Sequence, residues 1–140
     1  MKRNANCHCG QLQLICEGEP RRISVCHCTD CQRRTGSVFG IAAFYDRGSV
    51  TCKGTSRAFT RDSASGRSVT FYFCNQCGSS VYWEPARMPD LVGVAVGAFG
   101  DPDFPRPEQS VWTKDKHPWV SLPDGIPTFD VGPPGTRIIS

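Results

Sequence analysis

The 140-residue sequence has no long apolar run, and this absence excludes a membrane-spanning helix. The least polar stretch, residues 91–100, is shorter than the roughly 20 residues that cross a bilayer and is interrupted by glycines. Residues 1–6 also lack the apolar segment of a secretory signal peptide. We therefore expect a soluble cytoplasmic protein, in a compartment that keeps thiols reduced.

The sequence also lacks a strong excess of either positive or negative charge. Lys and Arg number 16 and Asp and Glu number 13, which gives a net charge of +3. The basic residues are scattered, apart from the pairs Arg21–Arg22 and Arg33–Arg34. Because nucleic-acid-binding proteins usually concentrate basic residues in one patch, a nucleic-acid partner is weakly supported. The sequence leaves the oligomeric state open.

Cysteine, in contrast, is abundant, with nine residues. The odd count and the expected reducing compartment argue against a disulfide framework and favour metal ligands or buried thiols. Seven of the nine fall into three close-spaced motifs: Cys7-His8-Cys9, Cys26-His27-Cys28-Thr29-Asp30-Cys31 and Cys74-Asn75-Gln76-Cys77. Cys16 and Cys52 stand alone in apolar segments and are predicted to be buried thiols.

The three motifs predict two zinc sites. The four-cysteine group consists of Cys7, Cys9, Cys74 and Cys77, and the three-cysteine group consists of Cys26, Cys28 and Cys31. A structural zinc ion takes four protein ligands, so the four-cysteine group predicts a closed site. Three ligands leave a fourth position for a water or substrate, as in catalytic zinc sites. Counting leaves open a grouping of Cys26 and Cys28 with the last C-x-x-C motif, and it does not decide between zinc and iron.

Two histidines lie inside these motifs. His8 and His27 each stand between two candidate ligand cysteines, where an extended chain points their side chains to the opposite face. We therefore expect exposed or supporting roles for both.

Short segments rich in Val, Phe, Tyr and Thr, separated by Gly and Pro, predict an all-β fold. Val69, Phe71 and Phe73 alternate with Thr70 and Tyr72, as in a strand with one buried face. The predicted strands cover residues 11–17, 37–45, 50–52, 58–61, 68–74, 80–83 and 91–98.

Turn and helix signals complete the predicted architecture. Residues 62–66 are predicted to form a hairpin loop. One short helix is predicted after Cys28, with Thr29 as its N-terminal cap and Gly36 at its end. Prolines are dense from residue 100 onward, which predicts an irregular C-terminal arm held to the sheet by Trp112 and Trp119.

The order and separation of the cysteine motifs resemble those of the glutathione-dependent formaldehyde-activating enzyme family, which also contains centromere protein V. The matching segments are CHCG at residues 7–10, CHCTDCQRRTG at residues 26–36, FCNQCGS at residues 73–79, and Lys116-His117-Pro118-Trp119 with Leu122-Pro123 in the tail. The likeness runs from about residue 7 to residue 130, within one domain expected to span residues 1–140.

This resemblance implies both a fold and a ligand set. The fold is all-β and Mss4-like, built of short antiparallel strands with zinc sites and a Pro-rich C-terminal arm. The four-cysteine group would hold a structural zinc ion and the three-cysteine group a catalytic one, which makes two per chain.

The resemblance also implies an activity: the joining of glutathione to formaldehyde as S-hydroxymethylglutathione, which is classed with the carbon–sulfur lyases. The expected partner is a small-molecule thiol or aldehyde adduct, with glutathione as co-substrate. Arg33 or Arg34 would pair with a glutathione carboxylate. Ser110-Val111-Trp112 stands where many members carry a histidine before an apolar–aromatic pair, and this departure leaves the substrate open.

Two other functions stay open at this level, because a shared metal scaffold does not fix a reaction. The first is a non-catalytic zinc-binding interaction module that recognises a protein or a nucleic acid. The second is a metal or redox handler, which would need accessible thiolates of low pKa.

Overall fold

The computed structural model describes residues 1–63 and 66–132 as an all-β protein with one short helix. The strands are β1 (Lys2–Asn6), β2 (Gln13–Glu17), β3 (Arg22–Cys26), β4 (Gly40–Asp46), β5 (Val50–Lys53), β6 (Ser56–Asp62), β7 (Ser68–Cys74), β8 (Ser80–Pro85), β9 (Leu91–Ala95) and β10 (Gln109–Val111), and the helix is α1 (Thr29–Thr35). Short 3-10 turns cover Arg47–Ser49, Val96–Phe99 and Thr113–Asp115. The predicted all-β, Mss4-like fold class is confirmed.

The strands form two sheets. β1, β2 and β5 make a three-stranded antiparallel sheet in that order. The larger sheet has the order β10-β3-β4-β9-β8-β7-β6 and is antiparallel except where β10 runs parallel to β3. The predicted hairpin between β6 and β7 is present in the strand pairing, although residues 64 and 65 of its loop lie outside the described residues.

The larger sheet is buried on both faces at its centre. Along β4, Ala43 and Tyr45 join one apolar cluster with Leu14 of the smaller sheet. Ala42 and Phe44, which point the other way because side chains alternate along a strand, join a second cluster. The smaller sheet therefore covers one face of β4, and the second cluster covers the other.

The C-terminal arm departs from the prediction of an irregular segment. Gln109–Val111 forms the edge strand β10, and the isolated bridge between Ser110 and Thr128 continues the pairing outward. Trp112 is buried, but Trp119 is 71% exposed, so the predicted anchoring role of Trp119 is wrong. Backbone hydrogen bonds hold the arm instead, because β10 supplies its own ladder to β3.

The two isolated cysteines differ from each other. Cys16 is fully buried in the cluster between the sheets, as predicted. Cys52 is exposed, so its predicted burial is wrong. The reason is its place in β5, which lies at the edge of the three-stranded sheet and has a neighbour on one side only. In the part of the chain that the structure describes, no helix has the length and apolar character to span a bilayer.

Candidate metal and ligand site

The fold brings the four cysteines of the four-cysteine group together, with their sulfur atoms within 4.8 Å of one another. The Sγ–Sγ distance is 3.6 Å between Cys7 and Cys9 and 3.7 Å between Cys9 and Cys74. These distances exclude disulfides, whose sulfurs lie about 2.05 Å apart. A tetrahedral ion with metal–sulfur bonds of about 2.3 Å holds its sulfurs about 3.8 Å apart, so the donor set fits such an ion.

Two tight turns present these thiols. The chain turns after β1 and again after β7, and Gly10 (φ 87°) and Gly78 (φ 78°) adopt the left-handed conformation that favours glycine. Backbone amides face the sulfurs: Leu12 N donates to Cys7 Sγ at 3.2 Å, and Cys77 N donates to Cys74 Sγ at 3.4 Å. Such hydrogen bonds favour the thiolate form that a metal binds.

Sequence reasoning missed the side chains that support this group. Gln11 Nε2 donates to Cys74 Sγ at 2.9 Å, and Gln11 Oε1 accepts from Thr55 N at 2.9 Å. The hydroxyl of Ser79 lies 3.3 Å from Cys77 Sγ, and this hydroxyl, together with the backbone N–H groups of Cys9 and Ser79, lowers the pKa of that thiol to about 5. Gly54 is required beside Gln11, because a Cβ at this position would lie 1.9 Å from the Gln11 carbonyl oxygen. Gln11 follows the Cys7–Cys9 pair by two residues in the sequence, and this proximity could have identified it as a supporting residue.

The cysteines of the three-cysteine group also converge, within 4.8 Å of one another, at the junction of β3 and α1. Cys26 ends β3, and Cys31 lies in the first turn of α1. Cys28 is the N-cap of α1, where its Sγ accepts from Cys31 N at 3.3 Å, so the predicted Thr29 cap is one residue too late. Gly36 (φ 72°) ends the helix as predicted.

The three thiols shift the pKa values of one another in opposite directions. Contacts with the thiols of Cys26 and Cys31 lower the pKa of Cys28, whereas contacts with the thiols of Cys28 and Cys31 raise the pKa of Cys26. Among the described residues, no histidine, aspartate or glutamate joins these thiols as a fourth ligand, and the alternative grouping of Cys26 and Cys28 with the last C-x-x-C motif does not occur.

The three-cysteine group is buried, with exposed fractions of 6% for Cys26, 3% for Cys28 and 2% for Cys31. A small cavity of about 10 Å³ lies against it, which is room for one water-sized group. Its lining residues are Ser24, Cys26, Cys31, Arg34, Gly40, Ala42 and Trp83. The three thiols are therefore largely shielded from bulk water.

Arg34 separates this small cavity from a much larger cleft of about 640 Å³, since Arg34 and Gly40 line both. The cleft has a polar end at Asn6, His8 and Ser79, beside the four-cysteine group, and an apolar wall that includes Phe39 and Ile41. Its volume is within the range of pockets that hold a small molecule. The cleft thus runs between the two cysteine groups.

The two candidate arginines occupy different environments. Arg33 is exposed and does not line the cleft. The Arg34 guanidinium lies 4.4 Å from the ring centre of Trp83 and 5.3 Å from that of Phe71. Burial lowers the pKa of Arg34, and the neighbouring Cys31 opposes this shift. A contact of either arginine with a glutathione carboxylate stays a prediction.

His8 and His27 also differ. His8 is exposed at the cleft's polar end, whereas His27 is fully buried and its Nε2 lies 2.9 Å from Ser110 Oγ. Burial, followed by the charge of Lys116, lowers the pKa of His27. His27 therefore supports the junction between β3 and the arm from outside the sulfur cluster.

The arm closes the opposite side of the three-cysteine group. Gln32 Nε2 donates to the carbonyl oxygens of His27 at 2.8 Å and Asp115 at 3.2 Å, and Gln32 Oε1 lies 3.1 Å from His117 Nε2. Trp112 packs against the sulfur cluster in a left-handed conformation (φ 57°), which is rare for a bulky residue. Sequence reasoning did not identify Gln32 as the residue that joins α1 to the arm.

Comparison with known proteins agrees with this arrangement. The family model described as glutathione-dependent formaldehyde-activating enzyme matches residues 2–115. The chain belongs to this family.

Two relatives extend the match. A Halomonas elongata protein that carries the family's enzyme name as a provisional designation is 24% identical over 129 residues, covering 87% of this chain and 82% of its own. The crystal structure of a Rhodobacter sphaeroides protein superimposes with a TM-score of 0.52 at 20% identity, over 89% of this chain and 98% of that chain. The second likeness concerns the fold alone.

Proposed function

We propose that the protein is a zinc-dependent enzyme that joins glutathione to formaldehyde as S-hydroxymethylglutathione, or acts on a related thiol–aldehyde adduct, in a reaction of the carbon–sulfur lyase type. Family membership supports the reaction class. The nine free cysteines support a reducing cytoplasmic location.

One observation carries the proposal: the three-cysteine group converges without a fourth ligand among the described residues, beside a small cavity that adjoins a large cleft. A purely structural zinc site is usually closed by four protein ligands, as the four-cysteine group would be. The missing ligand and the adjoining cleft together favour a site that receives a small molecule.

All-sulfur donor sets suit zinc, which we propose for both groups. A zinc ion on the three-cysteine group would supply a position for a soft thiol ligand next to a carbonyl group. The cleft would hold the body of the thiol substrate, with its peptide groups toward Asn6 and Ser79 and its methylene groups along Phe39 and Ile41. Burial of the three thiols would exclude bulk water from the reacting carbon.

The reaction balances without an oxidant or reductant. The sulfur of the thiol forms a bond to the carbonyl carbon, and the π-electron pair moves to the carbonyl oxygen. That oxygen takes up the proton which the thiol gives up, so the adduct carries a hydroxyl group. The reverse direction breaks the carbon–sulfur bond and returns the two reactants.

The test is exchange spectroscopy by NMR, which measures how fast glutathione and formaldehyde interconvert with their adduct. We expect the zinc-loaded protein and a Cys52→Ser control to accelerate exchange, and a Cys28→Ser variant to leave it at the uncatalysed rate. The proposal is contradicted if a panel of aldehydes is tested and the zinc-loaded protein accelerates exchange with none of them.

A further inference from the structure

Arg34 is a half-buried cation with no carboxylate partner in the described part of the chain. None of the ion pairs among residues 1–63 and 66–132 includes it, and its Nε atom is buried without a hydrogen-bond partner. Its guanidinium lies over the faces of Trp83 and Phe71, and Arg34 lines the small cavity together with Cys31. Because its Nε–H is unpaired and a guanidinium has five N–H donors, such a residue is suited to donate hydrogen bonds to an incoming oxygen.

The place of Arg34 limits which group it can receive. It lines the small cavity together with Cys26 and Cys31, and a Cβ on Gly40 would lie 2.8 Å from Arg34 Nη2. Because Gly40 has no side chain, the Arg34 guanidinium has room to lie beside it. The group that Arg34 meets must lie close to the sulfur cluster and must be about the size of one water molecule.

Two kinds of oxygen on a glutathione adduct could meet Arg34. The hydroxymethyl oxygen is separated from the sulfur by a single carbon. Each carboxylate lies beyond a peptide bond, at an end of the tripeptide. If the sulfur lies beside Cys26 and Cys31, the small cavity has room for the hydroxymethyl oxygen, which is one carbon away, whereas the carboxylates would extend into the cleft.

We propose that Arg34 is a catalytic residue that donates hydrogen bonds to the carbonyl oxygen of the aldehyde, and does not bind a glutathione carboxylate. This inference rests on the proposed function. As sulfur adds to the carbonyl carbon, the electron pair of the C=O π bond moves to oxygen, and the guanidinium stabilises that charge until the proton from the thiol arrives. Arg34 keeps its own protons throughout.

The experiment compares Arg34→Met with Arg57→Met, which removes an exposed arginine of β6 that lines neither cavity, and with Arg34→Lys, which keeps a cation. Each zinc-loaded variant is assayed for adduct formation with glutathione and with 2-mercaptoethanol, a thiol that has no carboxylate. Dissociation constants for glutathione and for thioglycolate, whose carboxylate is attached to the carbon next to sulfur, are measured by calorimetry. Zinc content and thermal unfolding are recorded for every variant.

We expect Arg34→Met to lower the maximal rate about 10²- to 10³-fold with both thiols, as for loss of an oxyanion donor. Its dissociation constant for thioglycolate should rise about tenfold or more, because a charge-assisted hydrogen bond is lost, while that for glutathione changes less than about threefold. Arg34→Lys should recover part of the rate, and Arg57→Met should behave as the parent protein does.

Three results would overturn the assignment. The first is a rise of tenfold or more in the glutathione dissociation constant with 2-mercaptoethanol turnover unchanged, which identifies a carboxylate contact. The second is an unchanged maximal rate in Arg34→Met. The third is loss of zinc or of the fold in Arg34→Met and Arg34→Lys alike, which identifies a structural role.

The two proposals fail separately. If the parent protein accelerates neither thiol, the proposed function is wrong, and the thioglycolate measurement alone decides whether Arg34 receives an anion next to the sulfur. If the parent protein is active and Arg34→Met is equally active, only the inference about Arg34 is wrong.

Discussion

The two cysteine groups differ in solvent exposure, and the group with more ligands is the more exposed of the two. The four-cysteine group, which has enough ligands to saturate a metal ion, lies at the surface, and two of its members, Cys9 and Cys77, are exposed. The three-cysteine group, which leaves a position free, is almost completely buried. Ligand number and solvent access are therefore separate properties.

This difference has a physical reason. A saturated site needs no access route, and it can replace apolar core at the edge of a small protein. An unsaturated site near bulk water would fill its free position with water, whereas, under the proposed function, burial would reserve it for a ligand that enters from the cleft. Such a ligand would pass Arg34 and Gly40, which line both cavities.

The largest expected effect comes from breaking the four-cysteine group. Cys74 ends β7, and its sulfur meets Cys9 from a position 65 residues away in the chain. Because binding of a structural metal is folding free energy, Cys74→Ser should remove stability comparable to the whole free energy of unfolding, about 5–15 kcal/mol. Loss of the cooperative thermal transition by circular dichroism checks this. Retention of that transition would mean that the sheets hold without the metal; Cys52→Ser is the matched control.

The corresponding change in the three-cysteine group should spare the fold. In Cys28→Ser, the serine hydroxyl can still cap α1 by accepting from Cys31 N, so we expect a loss of at most about 2 kcal/mol. Zinc content by elemental analysis should fall from about two ions per chain to about one. An unfolded Cys28→Ser protein would show that both groups are structural and would remove the contrast between them.

The sequence predicted both cysteine groups because metal ligation leaves a local signature. Spacings of C-x-C and C-x-x-C bring sulfurs together within one turn, whatever the rest of the fold does. Gly36 and the alternation along β7 are local signals of the same kind. Features fixed by nearest neighbours in the chain were therefore predictable.

Features fixed by distant neighbours were not. β1 buries only Ala5, so it shows no apolar alternation, and β10 has three residues that become a strand only beside β3. The sequence gives Arg33 and Arg34 equal weight, but the helical rotation between neighbours leaves Arg33 exposed and directs Arg34 toward Trp83. Cys52 was misassigned because edge position is a property of the assembled sheet.

A smaller effect is expected from a change that weakens metal binding at the four-cysteine group without removing a ligand. Gln11→Ala removes the hydrogen bond to Cys74 Sγ and the link to Thr55. Loss of such a supporting contact should weaken metal binding at this group about 10- to 100-fold, with the three-cysteine group unaffected. Competition with a chromophoric chelator measures both affinities. Gln76→Ala, which truncates an exposed side chain in the same turn, should leave both unchanged.

The smallest expected effect concerns what holds α1 in place at the three-cysteine group. Asp30 forms an ion pair with Arg61 of β6 at 3.4 Å, and the Asp30 side chain is 39% exposed. Because solvent screens such pairs, Asp30→Asn should cost less than about 1 kcal/mol in thermal unfolding and should leave the zinc content unchanged. A double-mutant cycle with Arg61→Met separates the pair from the stacking of Arg61 on Phe71. Loss of zinc from Asp30→Asn would mean that the ion pair, and not the convergence of three thiols at the cap of α1, fixes the geometry of the buried site.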